Sequence, residues 1–257
     1  MEVELFDLIL LCLVAFAAGF VDAIAGGGGL IQVPMGLVLL PQYPVATVIG
    51  TLKIPAFSGT AIAATQYARK VQINYSQLMV MAAIAFIAAF SGSNLLSMVS
   101  NSFMKPFLLF VLIAVAIYTY SNKKFGIHTH KAHSKKQEWI YVIFISFIIG
   151  FYDGFIGPGA GSFFMIAFIS LLGYDFLKAS ANAKFVNLAT NFGSICFFLL
   201  KGTIIFKIAI PMAICNAVGG AFGARLAILK GNKFIRLFFL FIICLTILRF
   251  AYDVFFK

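Results

Sequence analysis

Eight stretches of this chain stay apolar for about twenty residues each, near 5–25, 45–68, 76–99, 104–121, 139–156, 178–200, 206–229 and 234–256. A helix rises about 1.5 Å per residue and a bilayer's hydrocarbon core is about 30 Å thick, so each run has the length of one crossing. Within lipid, backbone polar groups must be satisfied by the segment itself or by a closed barrel. The runs do not alternate as barrel strands would, so the chain reads as all-α and polytopic. A soluble domain of 257 residues that is 62% hydrophobic and 11% charged has no way to bury its apolar surface. The first run is no cleaved signal, because its flank is acidic (Glu2, Glu4, Asp7) where a secretory leader is basic.

The second constraint is internal duplication. Gly19-Phe20-Val21-Asp22 returns as Gly150-Phe151-Tyr152-Asp153, 131 positions later. The same offset carries Gly26 to Gly157, Gly28 to Gly159, Tyr43 to Tyr174, Lys53 to Lys184 and Gly92 to Gly223. Residues 1–121 and 139–257 therefore form two transmembrane repeats, joined by a basic linker at 122–138. A duplicated membrane chain with polar residues at matching places is expected to hold its site between the copies.

Each repeat has one run too short to cross, near 30–40 and 162–172. Such a run spans only about half the hydrocarbon. The expected unit is a hairpin, namely a helix in, a glycine break and a half-helix back, followed by three full spans. Three is odd, so the second copy is expected to be inverted. The alternative lets residues 5–25 cross fully, which gives four spans per copy and parallel repeats. The acidic N-terminus, with Lys230, Lys233 and Arg236 at the other side, supports inversion; Lys201 and Lys207 count against it. The net charge of +11 reads as topology-setting residues beside helices rather than a nucleic-acid surface. Lys123, Lys124, Lys131, Lys135 and Lys136 place the linker in the cytoplasm, with Arg69 and Lys70 on the same side. Cys12, Cys196, Cys215 and Cys244 lie in apolar runs and read as small buried residues. His128, His130 and His133 share the linker without Cys or acidic partners, so neither metal nor cofactor is expected. A membrane enzyme would show clusters of acid–base groups or ligands, and this chain has none.

The glycine breaks are the strongest local signal. Gly26-Gly27-Gly28-Gly29 and Gly157-Pro158-Gly159-Ala160-Gly161 interrupt helices and leave N–H groups free at the start of the next half-helix. Such an N-terminus favours an anion, although glycines also serve close helix packing. No Gly-Lys-Ser/Thr follows either break, which argues against a nucleotide loop. Lys53 and Lys184 each sit early in a long run, preceded two residues earlier by Thr51 and Asn182. Two ammonium groups facing one cavity would supply counter-charge to an anion, while snorkelling is the plainer reading. Asp22 and Asp153 are candidates for pairing with those lysines, for capping, or for proton coupling. Asn187 and Asn191 share a helix face with Lys184 and are expected to line the cavity, with only Ala56 and Thr60 opposite them in the first copy.

At these residues the chain resembles the sulfite exporter TauE/SafE family, also called the toluene-sulfonate uptake permease family. The resemblance rests on Gly-Phe-x-Asp-x-x-x-Gly-Gly-Gly-Gly at 19–29, Thr-x-Lys at 51–53 and looser equivalents in the second half. Leu52 stands where the family typically has Asn, and Pro158 stands where the first copy has glycine. The resemblance implies a secondary transporter for sulfite-like or organosulfonate anions working by alternating access. An anion channel of the same architecture is the alternative. The expected setting is the cytoplasmic membrane of a prokaryote, with multi-pass insertion. Expected partners are a small anionic substrate and membrane lipid, with a homodimer as the candidate assembly and no nucleic acid.

Overall fold

The computed structural model describes residues 4–104, 107, 110 and 134–256, with side chains described as far as Phe238 except those of Lys135 and Arg236. The elements are α1 (Leu5–Ala25), α2 (Gly28–Leu39), α3 (Val45–Ala68), α4 (Tyr75–Met98), α5 (Lys135–Phe155), α6 (Ala160–Leu172), α7 (Phe176–Leu200) and α8 (Phe206–Phe256). No strand occurs among the described residues. Six helices there are long and apolar enough to cross a membrane, while α2 and α6, of 12 and 13 residues, are not. The starts of α3 and α7, and of α4 and α8, each differ by 131 positions, the offset of the sequence repeat.

Helix ends follow local chemistry. Ser134 and Gln137 form a capping box that starts α5 at Lys135. Lys135 and Lys136 therefore belong to a first helical turn, inside what the sequence assigned to the linker. Linker residues 122–133, with His128, His130 and His133, lie outside the described residues, as does the side chain of Cys244. Asn74 and Asp175 cap α4 and α7 by accepting from Gln77 and Lys178 amides. The runs expected at 206–229 and 234–256 form one helical stretch, broken by Gly231 at φ 68°.

Helix direction follows from paired contacts. Gly219 and Gly223 of α8 lie against Phe16 and Phe20 of α1. Ser58 and Gln66 of α3 donate to the carbonyls of Ala213 and Ala221 of α8. Residue numbers rise together in both cases, so α1, α3 and α8 are parallel. By the same reading Gly150 and Gly154 of α5 meet Ala85 and Ala89 of α4, and the Phe192 and Phe197 rings of α7 contact those of Phe86 and Phe90 of α4, the second pair edge to face. Hence α4, α5 and α7 are parallel. Between the sets, α3 meets α7 head to tail, with Gly50 on Phe198 and Phe57 on Phe192. Two bundles result, and they run in opposite directions. Helices α5, α7 and α8 thus point opposite to α1, α3 and α4 respectively, their counterparts in the first half. Since α1 and α3 are parallel, α2 returns the chain to the end at which α1 began.

Each bundle borrows a helix from the other half: α8 sits with α1 and α3, and α4 with α5 and α7. Glycines allow the close crossings, Gly19, Gly219 and Gly223 in one bundle and Gly92, Gly150 and Gly154 in the other. Two apolar clusters fill opposite ends. One is centred on Tyr67, Phe164 and Phe168, the other on Leu40, Ile49 and Phe198. A polar layer separates them.

A duplicated pair invisible to the motif search ties the helix starts. Asn101 accepts from the Val45 amide at 3.0 Å, and Asn232 from the Leu177 amide at 2.6 Å. Both satisfy N–H groups that a helix start leaves unpaired. Asn101→Ala and Asn232→Ala are each expected to cost about 1 kcal/mol in denaturant titrations of purified protein. Lying at opposite ends, the two losses should add.

At the end holding the starts of α4 and α5, the Tyr174 hydroxyl donates to Gln77 Oε1 at 3.0 Å, and Gln77 Nε2 donates to Glu138 at 3.1 Å. Burial, helped by the Glu138 charge, pushes the Tyr174 hydroxyl up to about 12. A raised phenol pKa adds stability that is full below the unfolded value near 10 and lost as pH climbs through the folded one. This chain of bonds is therefore intact at neutral pH.

Candidate functional site

The site begins where α1 and α5 stop. Gly26 ends α1 with φ 78°, its amide bonded to the Asp22 carbonyl at 2.8 Å. Gly157 and Gly159 hold φ 93° and 83° in the second break, and Gly159 precedes α6 as its N-cap. Only glycine adopts this left-handed backbone at little cost, which is why the breaks are written in glycine. The two breaks touch. Ser162 N donates to Gly26 O at 3.0 Å, and Ser162 Oγ donates to Ala25 O at 2.9 Å.

Two buried ion pairs flank the crossing, and they are exchanged between the repeats. Lys53 Nζ on α3 donates to Asp153 Oδ1 at 2.9 Å and to the Asp153 carbonyl at 2.7 Å. Lys184 Nζ on α7 donates to Asp22 Oδ2 at 2.9 Å and to the Asp22 carbonyl. Each ammonium thus neutralises a carboxylate and meets a carbonyl near a helix C-terminus, where positive charge is favoured. Thr190 Oγ1 donates to Asp153 Oδ2, and Thr60 Oγ1 to Asp22 Oδ2 at 3.3 Å. Lys53 is 5% exposed and Lys184 1%. An unpaired lysine so placed would cost several kcal/mol. Both pairs join one bundle to the other. Each lysine stands eight residues into its helix (53 − 45 and 184 − 176), and α3 and α7 are antiparallel. The pairs therefore lie toward opposite ends of the molecule.

Between them is an internal cavity of about 50 Å³. At roughly 10–15 Å³ per water centre, it takes a few waters or one compact ion. Gly28 and Gly29, in the first turn of α2, and Ala160 and Gly161, in the first turn of α6, line it. Helix N-termini carry partial positive charge, so two positive helix ends face one space, although the Leu30, Ala160 and Ser162 amides already donate to the carbonyls of Gly27, Gly157 and Gly26. Carboxamides complete the wall. Gln32 Nε2 donates to the Leu52 carbonyl at 2.9 Å, and Asn216 Nδ2 donates to Gln32 Oε1 at 2.8 Å. On the other bundle Asn191 Nδ2 donates to Asn187 Oδ1 at 2.9 Å.

Among the residues singled out in the sequence, Asp22, Gly26, Gly28, Gly29, Lys53, Asp153, Gly157, Gly159, Gly161, Asn187 and Asn191 line this one cavity. Gly27 does not; it is the N-cap of α2. Thr51 and Asn182 stand elsewhere. Thr51 Oγ1 donates to Thr47 O and accepts from Ile205 N, while Asn182 Nδ2 bonds back to Lys178 O. Short polar side chains on membrane helices commonly return to the preceding turn in this way. Lys184 is sealed behind Asp22 and off the wall. The lysines are thus not free counter-charges, because the carboxylates already hold them. Gln32 and Asn216 escaped the sequence reading because the offset places Phe163 and Ala85 opposite them. The available signal was a carboxamide inside an apolar run.

Apolar helices of spanning length, arranged as two opposed bundles around a cavity bearing ion pairs and carboxamides, make a polytopic membrane protein of the kind that membrane transporters are. The chain belongs to the sulfite exporter TauE/SafE family, whose model matches residues 11–250. It is 36% identical over 226 residues to a "probable membrane transporter protein" of Sinorhizobium sp., covering 86% of this chain and 84% of that protein. It is 34% identical over 239 residues to another of the same name from Haemophilus influenzae, covering 92% and 91%. With the Escherichia coli K12 protein YfcA, also named a probable membrane transporter, identity is 32% over 244 residues, covering 93% and 88%. No solved structure matches the chain.

Proposed function

We propose that this protein carries a small sulfur oxyanion, sulfite-like or an organosulfonate, by alternating access, with the anion bound in the cavity between the bundles. The observation that carries this reading is the convergence of two helix N-termini and four carboxamides on one space crossed by two inter-bundle ion pairs. The N-termini and amides bind the anion. The pairs, one toward each end, link bundles that rock about the α3–α7 contact. Protonation of Asp22 or Asp153 releases its lysine, which couples a proton to the opening of that side. The end bearing Arg69, Lys70, Lys136, Lys230 and Lys233 is assigned to the cytoplasm, since basic residues accumulate there.

Purified protein in liposomes tests this reading. Uptake of labelled sulfite or a sulfonate should saturate and show counterflow; unsaturated single-channel currents would make the protein a channel instead. Asn187→Ala removes donors from the wall without touching either ion pair. A hydrogen bond to a charged ligand is worth about 1.5–3 kcal/mol, so apparent affinity should fall about tenfold or more. An unchanged half-saturation concentration would remove Asn187 from the site.

A further inference from the structure

We infer that the site selects a singly charged oxyanion and rejects dianions. This inference rests on the reading that an anion occupies the cavity, and it concerns which anion. Three charged side chains reach the wall, Asp22, Lys53 and Asp153, and Lys184 stands directly behind Asp22. Two positive and two negative charges leave the site with no net charge. Each ammonium gives one of its three N–H groups to a carboxylate and one to a main-chain carbonyl, so its charge is already balanced by a carboxylate.

Neutral dipoles remain for the ligand, and the structure orients them. The Leu52 carbonyl can only accept, so Gln32 turns its Nε2 toward it and offers Oε1 to Asn216. Asn187 Oδ1 is likewise taken by Asn191, with Thr190 Oγ1 also within 3.4 Å. The oxygens of Gln32 and Asn187 are consumed inside the wall, while each of the four amides keeps an N–H group to spare. All four are more than nine-tenths buried, with exposures of 3% for Gln32, 7% for Asn187, 3% for Asn191 and 3% for Asn216. Beside the N-terminal ends of α2 and α6, these spare N–H groups give the wall neutral donors next to its balanced charges.

Such a wall solvates one negative charge well. The cost of taking an ion from water grows as the square of its charge, so a dianion of the same size pays about four times as much. A site for a dianion needs uncompensated cations to offset that cost. Among the described residues no arginine, and no lysine free of a carboxylate, lines this cavity.

Methanesulfonate and sulfate are similar in size and shape but differ by one charge at neutral pH. Thermal shifts of the full chain in detergent, titrated with each at constant ionic strength, compare them by mass action. Methanesulfonate should stabilise at concentrations about tenfold lower than sulfate, or lower still. Sulfate binding as tightly as methanesulfonate would overturn the inference and leave anion transport standing. No shift with sulfite, methanesulfonate or sulfate would overturn both. Asp22→Asn makes the site singly positive, so the preference should move toward sulfate. An unchanged ratio in a folded Asp22→Asn protein would show that charge balance does not set the selectivity.

Discussion

Asp153→Ala is expected to lower stability by about 3–5 kcal/mol, because it strands the Lys53 ammonium in a place that is 5% exposed. The Thr190 hydroxyl loses its carboxylate acceptor at the same time and keeps only the Asn187 carbonyl, 2.8 Å away, and the more distant Asn187 Oδ1. Lys53→Met combined with Asp153→Leu removes both charges together and should recover most of that loss, since a buried pair replaced by apolar groups is often near neutral. Transport should stay abolished in the double variant, because its wall has lost the group that opens one side. Chemical denaturation in detergent and uptake in liposomes separate the two effects. A single variant as stable as the parent would mean that the pair is open to water. A transporting double variant would mean that it is only structural.

Gly26→Ala is expected to cost about 2–4 kcal/mol and to stop transport. The left-handed backbone at φ 78° costs a side chain about 1–2 kcal/mol. A Cβ there would stand 2.6 Å from Ser162 N, the donor that holds the two breaks together. Losing that bond adds about 1 kcal/mol. Gly29→Ala is the contrast. Its Cβ meets only Pro158 Cα at 3.2 Å, so the fold should survive while the narrowed cavity slows uptake. Equal stability of the two variants would show that Gly26 carries no special strain.

Much of this architecture is legible in the sequence, for physical reasons. Spanning length, short half-helices and glycine breaks are local properties, and each left its pattern in the order of residues. Which lysine meets which aspartate is not local. Lys53 finds Asp153 100 positions away, and Lys184 finds Asp22 162 positions away, each in the other half of the chain. Duplication marked all four residues and left lysine–aspartate pairing among the readings, but it did not mark which lysine meets which aspartate. Thr51 and Asn182 shared the repeat signal with the lysines and turned out to hold backbone instead. Gln32 and Asn216 carried no repeat signal and turned out to line the cavity. Repetition marked the breaks and carboxylates of the wall; the unrepeated Gln32, Asn187, Asn191 and Asn216 supply its carboxamides.

The exchange of helices between bundles bears on how the chain is made. The most extensive partner of α1 is α8, which is synthesised about two hundred residues after it. Until then the surface around Gly19 and Phe16 has only lipid against it, although α2 and α3 are already in place. The first half cannot close its own bundle, and α8 completes one begun some two hundred residues earlier. A chain stopped before residue 206 would hold both glycine breaks and both ion-pairing lysines, yet it would lack Asn216 and leave α1 beside a vacant groove. Packing of α8 against α1 is the closing stitch that ends the exposure.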